Sequence, residues 1–488
     1  MKNNFYITTS IAYANGEPHL GFAMESILAD SINRAQKMFG KETRFLTGTD
    51  EHGIKIFKKA EELGMSAKEL CDKNSEKFRN LKEKLNLSND DFIRTADQER
   101  HWPGAQKIWE KLVEKGDIYK KHYEGQYCEG CEVFLPEKDL IEGKCQIHKK
   151  EPVKISEENY FFKLSKYSDQ ILDLLKSDKL KIIPSFRKNE IMKMLEGEGL
   201  QDVSFSRPKK SLLWGIPVPG DENHNMYVWC DALTNYISAL GYAENSENFE
   251  KFWQNGEIVH SIGKDIVRFH AGIWIGMLLS AEIKVPENIH IHGFLTSNGE
   301  KMSKSIGNVV DPIEYVEKYG AERLRYFLLR EVPTGRDADF TKEQFLNICN
   351  AHLSNGLGNL INRVAVMSKK NGVEKSGKIT FEHFEKKITE TWKNFEEKIS
   401  MDFGNYDTQG ALVEAWELVE FGNKQMDELK PWLVKKENEE KFVEIMQNFL
   451  ELIKEIGKIL QAFLPETSEK ILKIYESGES EILFERVE

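Results

Sequence analysis

Several short stretches of the chain carry side chains whose types and spacing suit chemistry on a polyphosphate or a metal. His19 stands in Tyr13-Ala14-Asn15-Gly16-Glu17-Pro18-His19-Leu20-Gly21-Phe22, between a strand-like run and a helix-like one. A strand-to-helix turn aims helix N-terminal amides at whatever lies above a sheet, and phosphate favours that position, so His19 is expected to contact a nucleotide phosphate. Lys301-Met302-Ser303-Lys304-Ser305 sets two lysines around small residues, an arrangement able to stabilise charge on a departing pyrophosphate. Cys128-x2-Cys131 and Cys145-x2-His148, separated by 13 residues, have tetrahedral ligand spacing for zinc. Four protein ligands close such a site, so the metal would be structural, and its binding energy would help fold a small segment that lacks a sufficient core.

The elements that must position these groups are legible in the hydrophobic pattern. Phe5 to Thr9, then Met24, Ile27, Leu28, Ile32, Ala35 and Met38, then Phe45 to Thr47 read as strand, helix, strand, the unit of a parallel sheet. From about 116 to 223 the pattern breaks into cysteine pairs and Gly/Lys/Glu turns, which reads as an insertion. Strand-like runs resume at Met226 to Trp229, Val259 to Ile262 and Ile289 to Leu295, with a helix-length apolar stretch between the last two. Asn298-Gly299 is a tight-turn signal that delivers the chain into the lysine loop. Beyond about 345 the strand signals stop, and helical patterns such as Leu412, Ala415, Trp416 and Val419 end at Lys430-Pro431, where proline cannot continue a helix. The expected architecture is α/β: a Rossmann-like parallel-sheet domain split by a zinc-containing insert, then an all-α helix bundle. In residues, the divisions are 1–115 and 224–295 for the two sheet halves, 116–223 for the insert, 296–345 for the loop segment and 346–488 for the bundle.

The totals limit the alternatives. With 488 residues the chain exceeds what one core organises, and 40% hydrophobic with 30% charged residues is a globular composition. No stretch approaches the ~20 apolar residues of a membrane span. The N-terminus runs directly into Phe5 to Thr9, which leaves no room for a targeting peptide, so a cytoplasmic location is expected. Cys71, Cys230 and Cys349 are isolated and read as reduced thiols. A net charge of -12 means that any polyanion must meet a local basic patch rather than the molecule's overall field.

An early His-Leu-Gly turn paired with a late Lys-Met-Ser-Lys-Ser loop is similar to the paired signature of class I aminoacyl-tRNA synthetases. Along the whole chain the match resembles the methionyl-tRNA synthetases, of the bacterial type with a single Cys3His zinc knuckle. It rests on Ile11 to Gly16, Thr47 to Gly53, Tyr227 to Ala232, Ile262 to His270, the zinc knuckle and Lys430-Pro431-Trp432. The resemblance implies that Asp50 holds the methionine ammonium, and that Ser10, Ile11, Tyr13, Trp229, Ala232, Leu233, Tyr236, Ile266, His270 and Trp274 form the side-chain pocket. An aromatic-lined pocket suits a polarizable thioether, each sulfur–aromatic contact contributing ~0.3 to 1.5 kcal/mol, and His270 or Tyr13 could add a weak contact to sulfur. It also implies His19, Lys301 and Lys304 as catalytic, and His19, Gly21, Gly263, Lys264, Asp265 and Lys304 around ATP with magnesium. Zinc would sit on Cys128, Cys131, Cys145 and His148, one per chain. Asn359, Arg363 and Trp432 would meet the anticodon of initiator and elongator tRNA(Met). Asn355, Asn359 and Arg363 fall at four-residue steps, which aligns them on one helix face. No membrane partner is implied, and a monomer is expected.

One position departs from the family pattern. Phe22 stands where the family's second signature histidine stands, and an aromatic ring cannot donate the hydrogen bond that histidine provides. Losing one such donor costs ~2.7 to 4 kcal/mol elsewhere, so either Lys301, Lys304 and His19 compensate or adenylation is slow. The competing readings are a cysteine or branched-chain synthetase and a degenerate, non-catalytic tRNA-binding relative. The insertion at 116–223 is too small for the editing unit that branched-chain enzymes usually carry, and the zinc ligands lie outside the expected pocket, unlike those of a cysteine enzyme.

Overall fold

The computed structural model describes residues 3–128, 133–135, 140–146, 149–197, 199–302, 308–400 and 404–488. Its centre is a parallel sheet built from β1 (Asn4–Thr9), β2 (Ala12–Tyr13), β3 (Glu42–Asp50), β4 (Asp91–Arg94), β5 (Lys181–Ile183), β6 (Glu257–Gly263) and β7 (Asn288–His292). The strand order is β5-β7-β6-β1-β3, with β2 and β4 also paired to β3. Every pairing in this sheet is parallel.

The alternation of a strand buried on both faces explains β1. Phe5 and Ile7 enter one hydrophobic cluster and Tyr6 the other, because successive side chains point to opposite sides of the sheet. The first cluster includes Met24, Ile27, Leu28 and Ile32 of α1 (Leu20–Met38) and runs on without a break into the C-terminal helices. The second packs Trp109, Trp253 and Trp274 against the opposite face. From β1 the chain passes through α1 to β3, whereas from β6 it passes through the helical stretch Phe269–Ser280 to β7, on the other side of β1. The carboxyl ends of β1 and β6 are therefore the point where the chain direction diverges, and open α/β sheets bind ligands in the crevice at such a point.

Two segments differ from the pattern reading. Tyr227 to Trp229 are not sheet residues: a strand of a small antiparallel sheet ends at Met226, and Val228–Leu233 is helical. A short apolar run does not distinguish a strand from a buried helical turn by periodicity. Lys181–Ile183, inside the stretch that interrupts the sheet, pairs with Asn288 to His290 and forms an edge of the central sheet. Around it, 118–162 supplies the long strands Ile118–Cys128 and Val153–Phe162, paired antiparallel.

The turn expected at Asn298-Gly299 is present, with φ of 53° and 78°, both in the left-handed region that a two-residue hairpin of this kind demands. Helix Thr408–Leu429 stops at Lys430, and Pro431 opens the next helix. With Glu382–Ile399, Glu439–Leu460 and Pro465–Ser477 these form the C-terminal bundle. Among the described residues no helix is long and apolar enough to cross a membrane.

Candidate active site

A cavity of about 590 Å³ opens at the carboxyl ends of the parallel strands. Its lining comes from the segment after β1 (Ser10, Ile11, Tyr13), the start of α1 (His19, Gly21, Phe22, Glu25), the end of β3 (Asp50), the residues Trp229, Ala232, Leu233, Asn235 and Tyr236, the turn after β6 (Gly263, Asp265, Ile266, His270) and the segment from His292 to Leu295. Ser10, Ile11, Tyr13, Asp50, Trp229, Ala232, Leu233, Tyr236, Ile266 and His270, widely spaced in sequence, thus face one space, together with His19, Gly21, Gly263 and Asp265.

His19 is the N-cap of α1, its Nδ1 accepting the Gly21 N–H at 3.1 Å. A neutral ring that accepts at Nδ1 carries its proton on Nε2. No acidic residue lies in the first turn of α1, so the partial positive charge of the helix end is not neutralised by its own side chains. Glycine at 21 leaves room for this geometry: a Cβ there would lie 3.0 Å from His19 Cε1 and 3.1 Å from Nδ1, so the imidazole would have to give by a few tenths of an ångström. Gly21→Ala is expected to displace the imidazole from its cap and lower stability by about 0.5–2 kcal/mol, which a thermal melt would check.

Phe22 packs edge to face on Phe78, centroids 5.1 Å apart, and both rings line the cavity. A buried ion pair that the sequence reading missed lies in the same wall. Glu25 Oε1 accepts the Ser10 N–H and hydroxyl, each at 2.6 Å, and its Oε2 takes His292 Nε2–H at 2.8 Å. His292 Nδ1 faces the Gly293 carbonyl at 2.8 Å, so each ring nitrogen has an acceptor beside it, an arrangement that favours the protonated ring. Burial opposes that charge, but the Glu25 carboxylate and the carbonyl outweigh it and hold the His292 pKa above its ordinary value. The signals were present in outline. Glu25 is an acid within the apolar run of α1, and Ile289-His290-Ile291-His292 alternates, but neither feature names its partner.

The opposite part of the cavity is lined by the rings of Tyr13, Trp229, Tyr236, Phe269 and His270, with Asp50, and Lys55 and Arg268 flank it over the Tyr13 and Phe269 rings. His270 Nδ1–H donates to the Ile266 carbonyl at 3.0 Å, so its Nε2 accepts the Tyr236 hydroxyl proton at 2.7 Å. Below them His260 Nε2 accepts Trp274 Nε1–H at 3.2 Å, and its Nδ1–H donates to Thr8 Oγ1 at 2.8 Å. Burial pushes His270 down to about 4, the Ile266 carbonyl acting weakly against it, and pushes His260 down also. Trp274 is fully buried behind Tyr236, at 5.9 Å between centroids, and supports the pocket from behind without lining it. Trp229 stacks on Phe269 at 3.9 Å, and its Nε1–H has no hydrogen-bond partner among the described residues.

These neutral histidines set an acid limit on stability. An unfolded His270 titrates near 6.5 and the folded one near 4, so the unfolded chain binds the extra proton between those values. The contribution of His270 is fully present above about pH 6.5 and is lost as pH falls towards 4, by roughly 3 kcal/mol. Urea unfolding at pH 7.5, 5.5 and 4.5 is expected to show that loss, with a flatter pH dependence in His270→Phe. Equal pH slopes in the two proteins would contradict it.

Other predicted residues fall elsewhere. Lys264 does not line the cavity; its ammonium sits 2.7 Å from both carboxylate oxygens of Asp337 and over the Phe294 ring. Lys304 lies outside the described residues, and Lys301 is described only as backbone of the strand Glu300–Lys301. Met302 lines the cavity and the Val310 carbonyl accepts the Leu20 N–H of α1, so the described residues on either side of 303–307 reach the same site. Cys131 and His148 lie outside the described residues, whereas Cys128 and Cys145 are buried in one small cluster with Leu135 and Leu140. Among the described residues no three metal-binding side chains converge. Asn359 is exposed, one turn before Arg363, whose guanidinium lies 5.3 Å from the centre of the exposed Trp432 ring.

Comparisons with known proteins converge on one family. The family model described as tRNA synthetases class I (M) matches residues 5–145 and 137–365. The methionine–tRNA ligase of Brucella suis is 42% identical over 97% of this chain and 92% of its own length, and that of Thermotoga maritima is 41% identical over 96% and 75%. Among solved structures, Mycobacterium tuberculosis methionyl-tRNA synthetase in complex with methionyl-adenylate superposes with a TM-score of 0.90 at 37% identity, covering 97% of this chain and 94% of that one. The apo form of the same protein gives 0.83 at 34% identity, covering 97% and 92%.

Proposed function

The chain belongs to the methionine–tRNA ligases of the class I synthetases, and from that premise we propose how its cavity divides the work. The enzyme activates L-methionine with ATP to methionyl-adenylate and pyrophosphate, then transfers methionine to the 3′ end of tRNA(Met). The observation that carries the assignment of roles is that one cavity joins a buried carboxylate and a neutral aromatic wall to the capped N-terminus of α1.

Asp50 binds the substrate ammonium, and Tyr236, His270 and Trp229 take the thioether side chain. A neutral pocket matters here, because an imidazolium at His270 would present charge to an apolar group; its low pKa prevents that at neutral pH. The methionine carboxylate oxygen attacks the α-phosphorus, a P–O bond forms, and the bond to the β-phosphate bridging oxygen breaks. His19 Nε2–H and the α1 amides lie at the phosphates, and Lys301 and Lys304 neutralise the departing pyrophosphate. Magnesium carried with ATP supplies further charge neutralisation when bound. In the second step a 3′-terminal ribose hydroxyl attacks the acyl carbon and AMP leaves. Positioning carries both steps, with no covalent bond to the protein.

The same reading assigns 346–488 to anticodon recognition, with Asn359, Arg363 and Trp432 offering hydrogen-bonding groups and an exposed ring to unpaired bases. It divides the catalytic domain into 1–115 and 224–295 around a connective insert at 116–223, whose strand β5 forms an edge of the central sheet, with 296–345 linking to the bundle. Zinc fits the insert: Cys128 and Cys145, one from each spaced pair, share a buried cluster, so Cys128, Cys131, Cys145 and His148 would hold it, as thiolates and imidazole. Metal analysis should return about one zinc per chain, and Cys145→Ser should lose it and expose the insert to protease. Retained stoichiometric zinc in that variant would sink the assignment.

The function is tested by charging. Methionine should be accepted by tRNA(Met) transcripts of initiator and elongator type and not by transcripts with an altered anticodon. Equal charging of all three would remove the anticodon role of the bundle.

A further inference from the structure

Beneath the cavity, and outside its lining, a buried carboxylate bridges two imidazoles. Asp231 Oδ2 accepts His52 Nδ1–H at 2.6 Å, and Oδ1 accepts His101 Nε2–H at 2.8 Å. All three side chains are shut away from solvent, His52 being 2% exposed and the others 0%. His101 also meets Ser238 Oγ at 2.8 Å, and the His52 ring lies between Trp102 and Trp214, at 6.1 and 5.3 Å.

The location gives this bridge a meaning beyond stability. His52 stands two residues after Asp50, at the end of β3, and Asp231 is part of Val228–Leu233, the helical turn that carries Trp229, Ala232 and Leu233. One hydrogen bond therefore joins the strand end bearing the ammonium-binding carboxylate to the element bearing the side-chain wall. The residue between, Glu51, is fixed from the other side: Arg94 clamps it at 2.7 and 2.9 Å, and Thr49 and Ser75 donate to it. Asp50 thus sits on backbone anchored to β4 through Glu51 and to the pocket wall through His52. His52 Nε2 is buried without a hydrogen-bond partner among the described residues, so the bond to Asp231 is the ring's one polar tie. A buried, unsatisfied nitrogen is a cost that an apolar residue at this position would not incur.

We propose that the His52–Asp231 hydrogen bond is a specificity-determining positioning contact: it sets the distance from Asp50 to the wall of Trp229, Ala232 and Leu233, and so the length of amino-acid side chain that the enzyme activates. The inference rests on the assignment of Asp50 to the substrate ammonium. His101 holds the same carboxylate from Asp231's far side but has no covalent continuity with the strand of Asp50, so it stabilises without setting the spacing.

The test compares His52→Leu, His52→Asn and His101→Leu in the full-length, zinc-replete enzyme, using ATP–pyrophosphate exchange with methionine and with leucine. His52→Leu is expected to raise the KM for methionine at least about tenfold, with the KM for ATP within about twofold, and to lower the methionine-to-leucine ratio of kcat/KM about tenfold. His52→Asn, whose side-chain amide reaches the place of Nδ1, should return the ratio to within about threefold of the parent. His101→Leu should lower Tm as much as His52→Leu yet leave the ratio unchanged. If His52→Leu does not fold, His52→Phe, which also lacks the donor and fits the space between Trp102 and Trp214, carries the same comparison. Selectivity shifted equally by His52→Leu and His101→Leu, or Tm falling with selectivity intact in His52→Leu, would overturn the proposal. A parent enzyme with no methionine-dependent exchange would overturn the reading beneath it instead.

Discussion

Asp50→Ala is expected to lower kcat/KM for methionine by roughly thirty- to several-thousand-fold, the largest effect of any single change in the pocket. Asp50 is 9% exposed and lines a cavity whose neighbouring walls are Tyr236, His270 and Trp229, all uncharged. Truncating one partner of a buried charge pair costs about 2–5 kcal/mol, because the other charge is left without compensation. At about 1.4 kcal/mol per tenfold, that range gives the stated loss. The ammonium is bound alike in ground and transition states, so the loss should fall mainly on KM, with kcat changing little. Exchange kinetics over a methionine series would show it. A KM within about threefold of the parent would remove Asp50 from the ammonium site.

His19→Asn separates two roles that one side chain combines. Asparagine is as good an N-cap as any residue, so α1 should keep its cap and Tm should stay close to that of the parent. What is lost is the Nε2–H beyond the cap, the group assigned to the ATP phosphate. Removing one such donor costs about 2.7–4 kcal/mol in comparable sites, which predicts a fall of about a hundred- to a thousandfold in kcat for exchange. His19→Ala should lose the same activity and also about 0.5–2 kcal/mol of stability. If His19→Asn were as active as the parent, the ring would be a cap and nothing more.

The parts of this molecule that were legible in the sequence are those set by local chemistry. The βαβ order of residues 4–50 follows from a two-residue period switching to a helical one, and the Asn298-Gly299 turn from two residues that tolerate positive φ. The helix stop at Lys430-Pro431 follows from the imino acid. The cavity-facing positions Asp50, Tyr236 and His270 came from resemblance, and no spacing rule joins residues so distant in the chain. What stayed hidden depends on tertiary pairing. Three residues, Lys181–Ile183, are too few to show a period, and their partner strand lies more than a hundred residues on. Glu25 becomes meaningful only when β7 brings His292 to it, and His52 only when Val228–Leu233 brings Asp231. The resemblance sets Lys264 around ATP, whereas in the fold its ammonium is engaged by Asp337 and does not line the cavity.

The measurement that tests the account most directly is amino-acid-dependent ATP–pyrophosphate exchange with the purified, zinc-replete enzyme, run in parallel with methionine, leucine, isoleucine, valine and cysteine. Exchange that depends on methionine alone is the predicted result, and would show that Phe22 in the signature is compatible with adenylation. Exchange with none of the five, in a protein that still binds tRNA(Met), would contradict the account and leave a tRNA-binding relative without catalysis.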